Sequence, residues 1–278
     1  MKYLKFFLSL TSVIIALTGC KSEYEVLLQG TDPDAKYKAA FEYFNQGKYT
    51  RSAQLFESLA SVSGGSARED TIQYYWGLSN YRFKDYYTAE TNFTNFVMNY
   101  PLSPFAQDAR YYRIDCLYRQ TLRYELDQKP TRSCIATIKE YLGDYPDSPY
   151  AGMCKGILDD LNGRLDRKAF ENARLYYKME DYLASTVALR NVLKDNSDNI
   201  YREEVLYYIA MSSFKYASLS TVSKQKERYL VFVDDYLNFI GEYPDSQHRK
   251  ELNSLYRRAQ KALGKNPGPE EEDEEEEG

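Results

Sequence analysis

The N-terminal segment that ends at Cys20 has the clearest chemical role in this sequence. Lys2 and Lys5 precede a short apolar stretch, residues 6–17, and small residues connect that stretch to the cysteine. A basic start, a short apolar segment and small residues before a cut site are typical of a secretory signal peptide. The Leu-Thr-Gly-Cys ending has the pattern of a bacterial lipobox, in which the cysteine is diacylated and becomes the new N terminus. We therefore predict a signal peptide over residues 1–19 and lipidation of Cys20.

A lipidated cysteine would place the mature chain at a membrane surface, outside the cytoplasm. Anchors with two or more acyl chains hold stably, because each buried methylene contributes roughly 0.8 kcal/mol. No later segment approaches the roughly 20 apolar residues of a membrane-spanning helix. Residues 20–32 are predicted to be a tether, which at roughly 3.3–3.6 Å per residue would reach only about 45 Å.

The rest of the sequence contains few residues that could catalyse a reaction or bind a metal ion. His248 is the single histidine, so a hydrolytic triad, a histidine metal cluster and a zinc site are not expected. Gly47-Lys48 lacks the upstream glycines of a phosphate-binding loop. The acidic pairs at 159–160 and 234–235 would point apart on predicted helices. We predict no catalytic residue, no metal site, no cofactor and no enzymatic activity.

The net charge of −5 comes from the C-terminal tail. Eight consecutive acids occupy residues 270–277, and without them 33 acidic and 36 basic side chains remain. A nearly neutral body does not indicate a nucleic-acid-binding protein. The acidic run follows a segment rich in proline and glycine, so we predict a disordered, solvated tail over residues 264–278. Binding of that tail to a basic partner is the alternative.

Three further cysteines, Cys116, Cys134 and Cys154, form no Cys-x-x-Cys pair. The predicted compartment permits disulfides. A bridge between Cys116 and Cys134 is possible, because both fall on helices that should pack together. Three small buried thiols is the favoured interpretation.

An internal repeat of 37 residues organises the body of the chain. The segment YYWGLSNYR that begins at Tyr74 recurs 37 residues later as YYRIDCLYR, beginning at Tyr111. Related segments begin at Tyr37, Phe170 and Tyr207. Self-similarity at this period predicts a solenoid of helical hairpins. The repeat therefore accounts for the 29 tyrosines of the chain, because it places aromatic rings at recurring positions.

Each predicted hairpin carries small residues and rings at helical spacing. In the first helix a small residue precedes a ring by four positions, and this spacing puts both on one face. These pairs are Ala40 and Phe44, Gly77 and Tyr81, Ala173 and Tyr177, and Ala210 and Phe214, with Ile114 before Tyr118 as the exception. Prolines follow tyrosines at 100–101, 145–146 and 243–244 and end the helices. This is the tetratricopeptide pattern.

We predict an all-α tetratricopeptide-repeat solenoid of five helical hairpins plus a C-terminal capping helix. Repeats one to three occupy residues 33–147. A long connecting helix over 148–178, repeats four and five, and a cap helix over 246–263 occupy residues 148–263. Two hairpins are longer than the typical period of such repeats. The third has about eight extra residues between its helices, and the fifth has about ten, around residues 218–224.

The lipobox, the five hairpins and the connecting helix together resemble the BamD family of outer-membrane assembly lipoproteins. The closest local match runs through Tyr145-Pro146-Asp147-Ser148-x-Tyr150, Leu161-x-x-Arg164-Leu165 and Ala173-x-x-Tyr176-Tyr177. The resemblance implies a scaffold that is lipid-anchored on the periplasmic face of the outer membrane. It also implies binding to the periplasmic domains of a BamA-type barrel insertase and to unfolded outer-membrane proteins, with no nucleic-acid partner.

The resemblance also suggests partner-binding residues. Family members carry a basic residue on the second helix of the fourth repeat that contacts BamA, and Arg190 is the nearest counterpart. Arg164 and Tyr176 complete the implied set. The first repeat departs from the family, because it ends in Ser-Val-Ser-Gly-Gly at 61–65 rather than in Tyr-Pro.

A second candidate surface follows from the repeat itself. First helices of stacked hairpins line a concave face, and tyrosine and arginine there suit an extended peptide. The predicted groove residues are Tyr74, Tyr81, Arg82, Tyr111, Tyr118 and Arg119. The alternative for most of the rings is packing between hairpins, which leaves the two arginines as the stronger candidates.

An alternative function is a SusD-like lipoprotein that captures glycans or peptides. Such proteins combine a lipid anchor with tetratricopeptide helices, but large insertions build their ligand site. The short insertions of this chain argue against that class. Cell-division and envelope coordinators with similar repeats usually begin with a coiled coil, for which residues 21–35 are too short.

Overall fold

A computed structural model describes residues 22–265, so Cys20 and the signal peptide, along with the acidic run at 270–277, lie outside the described residues. Within that range the chain forms twelve helices and no strand. The predicted all-α, tetratricopeptide-like fold is thereby confirmed, and the count of five repeats stays a prediction. The helices are α1 Glu23–Gln29, α2 Pro33–Asn45, α3 Tyr49–Ala60, α4 Glu69–Phe83, α5 Tyr86–Asn99, α6 Ala106–Arg119, α7 Lys129–Asp144, α8 Ala151–Lys178, α9 Tyr182–Asp195, α10 Arg202–Ser218, α11 Val222–Glu242 and α12 Arg249–Ala262.

The chain divides into two compact units. Among the described residues, the first contains 22–121 together with Lys129–Ile157, and the second contains Leu122–Gln128 together with 158–265. In the first unit α2 packs on α3, α4 on α5, and α6 on α7. In the second, α9, α10, α11 and α12 pack in sequence. None of the helices in residues 22–265 is long and apolar enough to cross a membrane.

Helix α1 occupies most of the segment that we predicted as a tether. The Ser22 hydroxyl accepts a hydrogen bond from the Glu25 backbone nitrogen, and the Glu25 carboxylate accepts one from the Ser22 nitrogen. This capping box starts the helix. Leu27 and Leu28 then pack against the core of the first hairpin. The segment is therefore helical and docked over residues 23–29, which leaves a short connection to Cys20.

Tight turns join the two helices of several hairpins. Gly47, Lys84 and Glu180 adopt left-handed backbone conformations, with φ of 73°, 71° and 61°. The next residue is the N-cap of the second helix, and the side chains of Asp85 and Asp181 accept hydrogen bonds from backbone nitrogens three residues on, each at 3.1 Å. The turns recur at matching positions because each repeat needs the same reversal of direction.

Small residues let the helices approach closely. Gly77 lies where an added Cβ would be 3.0 Å from Cε1 of Phe93, so α4 and α5 meet backbone to ring. The repeat also places buried serine pairs at the same spacing of 27 residues in both units. Ser52 bonds Ser79 at 3.0 Å, and Ser185 bonds Ser212 at 2.8 Å.

Ring stacking joins successive hairpins. In each case a ring on a first helix stacks on a ring just before the next first helix, so the chain enters that helix over an aromatic platform. The centroid distances are 4.5 Å for Tyr74 and Phe105, 4.1 Å for Tyr111 and Tyr150, 5.3 Å for Phe170 and Tyr201, and 3.9 Å for Tyr207 and His248. The single histidine is thus a packing residue at the start of α12.

Two connections differ from the expected hairpin pattern. The extra residues of the third hairpin form a loop, which Lys168 holds by donating to the carbonyl oxygens of Tyr124, Glu125 and Leu126 at 3.1, 3.3 and 2.7 Å. The ten extra residues expected around 218–224 do not form a loop. They lengthen α10 and α11, between which only residues 219–221 remain. Phe214 and Ala217 continue the core to the end of α10, whereas the first two turns of α11, before Tyr229, are mostly polar and exposed.

The three cysteines of the described chain are free and buried. Burial raises the pKa of Cys116 to about 12, with Asp115 adding to the effect. Burial raises the pKa of Cys154 to about 11. The Cys134 thiol lies 3.8 Å from the Ile114 carbonyl oxygen. The structure therefore agrees with small buried thiols rather than a bridge.

Candidate functional site

The described residues expose apolar, aromatic and basic side chains at several places on the surface. Between residues 22 and 265, no group of three or more His, Cys, Asp or Glu side chains is arranged to hold a metal ion. Of the acidic pair at 234–235, Asp235 is engaged by Arg190, with 2.7 Å between the Asp235 Oδ1 and the Arg190 Nη2. The surfaces of interest are therefore the ones that expose apolar, aromatic and basic side chains.

The second unit exposes a row of apolar side chains at the junction of α8 and α9. Met179 is 65% exposed, Leu183 is 51% exposed and Val187 is 53% exposed. Leu175 and Tyr176 are exposed on the last turns of α8. We call Leu175, Tyr176, Met179, Leu183, Val187 and Arg190 the α8–α9 face. A face of this kind on a folded chain usually marks an interaction site.

Helix α9 presents this face because its two sides differ. Leu183, Val187 and Arg190 follow each other at steps of four and three, so they share one side of the helix. Leu189 and Val192 lie on the other side and are buried in the core of the second unit. Burial of Leu189 and Val192 therefore leaves the opposite side of α9 exposed. Packing within this structure does not explain why Leu183 and Val187 on that side are apolar.

Arg190 is held in place by the next hairpin. Its guanidinium is exposed, whereas the carboxylate of Asp235 on α11 is largely buried. Burial raises the pKa of Asp235, and the nearby guanidinium partly offsets that rise. A charge-assisted bond to a fixed carboxylate orients the arginine and leaves its other donors for a partner. Asp235 was not predicted from the sequence, because spacing along one helix does not reveal a contact between helices.

The other two predicted partner residues differ in their surroundings. Tyr176 is exposed and belongs to the α8–α9 face. Arg164 pairs with Asp160 of the same helix at 2.6 Å. It lies twelve residues before Tyr176, about 18 Å along α8. The structure thus joins Tyr176 and Arg190 on one hairpin and places Arg164 further along the helix.

In the first unit, a polar network links two of the predicted groove residues. The Tyr81 hydroxyl donates to Asp115 Oδ2 at 2.7 Å, and Arg119 Nε donates to the same oxygen at 2.6 Å. Asp115 is buried, whereas Arg119 is exposed and lies over the Tyr86 ring at 4.9 Å. The bond to Asp115 raises the pKa of Arg119, so its charge is fixed. Asp115 was missed by sequence reasoning, although its position four residues before Arg119 was a usable signal.

The remaining groove residues are distributed between core and surface. Tyr74 is only 5% exposed and packs on Phe105 inside the first unit. Tyr111 and Tyr118 are half-buried. Arg82 is exposed; burial raises the pKa of Tyr112, and the nearby Arg82 guanidinium partly offsets that rise. The side chains open to a ligand are therefore mainly Arg82 and Arg119, with parts of the half-buried rings.

The chain is similar to known outer membrane lipoproteins. It matches the family YfiO, described as outer membrane lipoprotein, over residues 30–230, which is more than half of its length. It is also similar to the outer membrane protein assembly factor BamD of Caulobacter vibrioides. The two are 22% identical over 254 residues, which cover 89% of this chain and 81% of that protein.

Proposed function

Because this chain belongs to the YfiO family of outer membrane lipoproteins, we propose that it is a non-enzymatic scaffold for the assembly of outer-membrane β-barrels. Cys20 carries the lipid, and the folded body works on the periplasmic face of the membrane. The scaffold binds a BamA-type insertase through that protein's periplasmic domains, and it binds segments of unfolded barrel proteins. The name of the similar Caulobacter protein, an assembly factor, supports this proposal.

The α8–α9 face carries the proposal for the insertase contact. It combines exposed Tyr, Met, Leu and Val side chains with an arginine anchored by Asp235. Tyrosine, methionine and arginine are enriched at the centres of protein interfaces. Desolvating this face on binding would stabilise a complex by roughly 25 cal/mol per Å² of apolar surface, before the costs of association.

The first unit supplies the surface for unfolded segments. Arg119, Arg82 and the half-buried rings of Tyr81, Tyr111 and Tyr118 lie on the first helices of neighbouring hairpins. An extended peptide exposes backbone carbonyl groups, and the arginine guanidinium groups can donate to these without needing a particular sequence. The bond from Arg119 to Asp115 orders one such donor in advance.

Affinity capture from detergent-solubilised outer membrane tests the insertase contact. We expect the tagged lipoprotein to recover a BamA-type barrel protein. The double variant Leu183→Asp/Val187→Asp should recover at least tenfold less, because charges replace apolar contacts on the α8–α9 face. Leu219→Asp is the matched control, since Leu219 is exposed in the same unit but lies between α10 and α11. Equal recovery by all forms would contradict the proposal.

Charge reversal of Arg190 tests the residue implied by the family. Arg190→Glu should reduce capture and place a second acid beside Asp235, so the folded state must be checked by circular dichroism. Arg190→Gln removes the charge with less repulsion and should give an intermediate yield. Unchanged capture by both variants would remove Arg190 from the interface.

The SusD-like alternative is not favoured by the family match. Protease treatment of intact cells separates the two functions. A scaffold on the periplasmic face should be spared while the outer membrane is intact. A glycan-capture protein exposed on the cell surface should be cleaved.

A further inference from the structure

A basic depression lies at the turns of the first two hairpins. Lys48, Arg51, Arg82 and Lys84 line it together with Phe83. We call the four basic residues the basic rim. All four are exposed, and none of them forms a salt bridge with another residue of the described chain, 22–265. The rim is therefore a concentration of positive charge on a body that is nearly neutral.

Aromatic side chains accompany the basic rim. Phe83 is 53% exposed within the lining, and Tyr87 is exposed on the first turn of α5. Arg51 lies over the Tyr24 ring at 5.0 Å and over the Tyr43 ring at 5.6 Å. Exposed aromatic rings beside lysine and arginine suit the boundary between headgroups and acyl chains, where one end of the side chain is wet and the other is apolar.

The basic rim is close to the predicted lipid anchor. Tyr24 lies four residues after Cys20, so their Cα atoms are at most about 14 Å apart. The Tyr24 hydroxyl donates to Gln54 on α3, which fixes α1 against the first hairpin beside Arg51. The same helix carries two acids, Glu23 and Glu25; the Glu25 carboxylate accepts a hydrogen bond from the Ser22 nitrogen, and neither acid lines the depression. A lipid on Cys20 would therefore hold this end of the first unit at the bilayer.

We propose that the basic rim docks on the headgroups of anionic phospholipids and so orients the first unit on the membrane. The proposal rests on the lipidation of Cys20 given above. A lipid anchor alone leaves the folded body free to rotate on the membrane. A basic rim beside the anchor would hold one end of the first unit against the anionic headgroups. Each base near an anionic membrane surface changes affinity by about fivefold, and the effect falls off within a Debye length.

Photo-crosslinking in nanodiscs tests this orientation. The lipidated chain carries benzoylphenylalanine in place of Phe83, in discs of phosphatidylcholine alone or with 30% phosphatidylglycerol. We expect lipid adducts at position 83 to rise at least fivefold with phosphatidylglycerol and to fall with added salt. The matched position is Leu102, which is 97% exposed just beyond the opposite end of α5. It should give few adducts in either disc.

Charge-reversed variants complete the test. Lys48→Glu/Lys84→Glu should lower the adducts at position 83 at least tenfold, because two bases are replaced by acids. The control Lys139→Glu/Lys155→Glu makes the same charge change at exposed residues of α7 and α8 and should leave the adducts unchanged. Circular dichroism of each variant confirms folding.

Two results would overturn the proposal. One is equal adduct yields with and without phosphatidylglycerol. The other is crosslinking of position 83 to residues 270–277, which would make the acidic tail the occupant of the depression. Neither result bears on the insertase contact, which is read at the α8–α9 face by protein capture. A failed capture with lipid adducts intact would count against the proposed function alone.

Discussion

Asp115 brings two neighbouring helices and one exposed cation into a single contact. Its buried carboxylate accepts bonds from Tyr81 on α4 and from Arg119 on α6. The cost of burying a carboxylate is offset here because it receives two donors, one of which is charged. The network therefore contributes to the stability of the first unit and to the placement of Arg119.

Substitution of Asp115 should destabilise the first unit. Asp115→Asn should lower the free energy of unfolding by about 1–3 kcal/mol, because it weakens the bonds that a buried carboxylate accepts from the Tyr81 hydroxyl and the Arg119 guanidinium. Urea unfolding followed by circular dichroism measures the change. Asp147→Asn, at an exposed position, is the control and should change stability by less than about 0.5 kcal/mol. Equal midpoints for both variants would contradict the role of the network.

The buried thiols should be unreactive in the folded protein. The raised pKa values of Cys116 and Cys154, about 12 and about 11, keep both thiols protonated at pH 8. Because the thiolate is the reactive form, a thiol reagent at pH 8 should modify none of the three buried cysteines before unfolding. In denaturant, all three should react. Rapid modification of native Cys116 would contradict its burial.

At the scale of the element, the spacing of helices depends on where small residues lie. Gly77 faces the Phe93 ring across the α4–α5 contact, whereas nothing lies within 4 Å of a Cβ added at Gly156 in α8. Glycine therefore has different structural effects at the two sites. One permits close packing, and the other only loosens a helix.

Alanine substitutions separate these two kinds of glycine. Gly77→Ala should destabilise the protein by about 1–3 kcal/mol, because the Phe93 ring must shift in a filled core. Gly156→Ala should stabilise it by about 0.5–1 kcal/mol through helix propensity. Urea midpoints of the two variants should move in opposite directions. An unchanged or raised midpoint for Gly77→Ala would show that Gly77 does not set the helix contact.

The repeat spacing was sufficient to predict the hairpins but not their connections. Ala40, Gly77, Ala173 and Ala210 are all buried, as their periodicity indicates. Helix α1 was missed, although its capping box is visible in the sequence as Ser22 and Glu25. The extra residues around 218–224 could be counted but not assigned, because a longer helix and a loop have the same length in sequence. The Asp235 contact with Arg190 could not be predicted from the sequence, since helical spacing gives no distances between helices.

At the scale of the whole molecule, the two units carry different surfaces. The first has the basic rim and the network around Arg119, and the second has the α8–α9 face. In the proposed scaffold, Cys20, which lies outside the described residues, carries the lipid anchor. The proposed scaffold therefore carries its substrate surface in the first unit, where Arg82 also belongs to the basic rim, and its partner surface in the second.

Removal of the anchor should release the protein from the membrane. Cys20→Ser, expressed behind a signal peptide whose removal does not need the cysteine, prevents acylation, and the basic rim and any protein partner then supply the remaining attachment. We expect the variant to move from the outer-membrane fraction to the soluble periplasmic fraction on washing with high salt, which screens the rim. Retention of the variant in salt-washed membranes would contradict the role of Cys20.

The central claim is that the α8–α9 face contacts a BamA-type insertase, and photo-crosslinking in living cells tests it most directly. Benzoylphenylalanine in place of Val187 should give one adduct with the mass of the insertase plus the lipoprotein. The same group in place of Leu219, which is exposed in the same unit outside this face, should give none. Insertase adducts from Leu219 but not from Val187, or no insertase adduct from either position, would contradict the account.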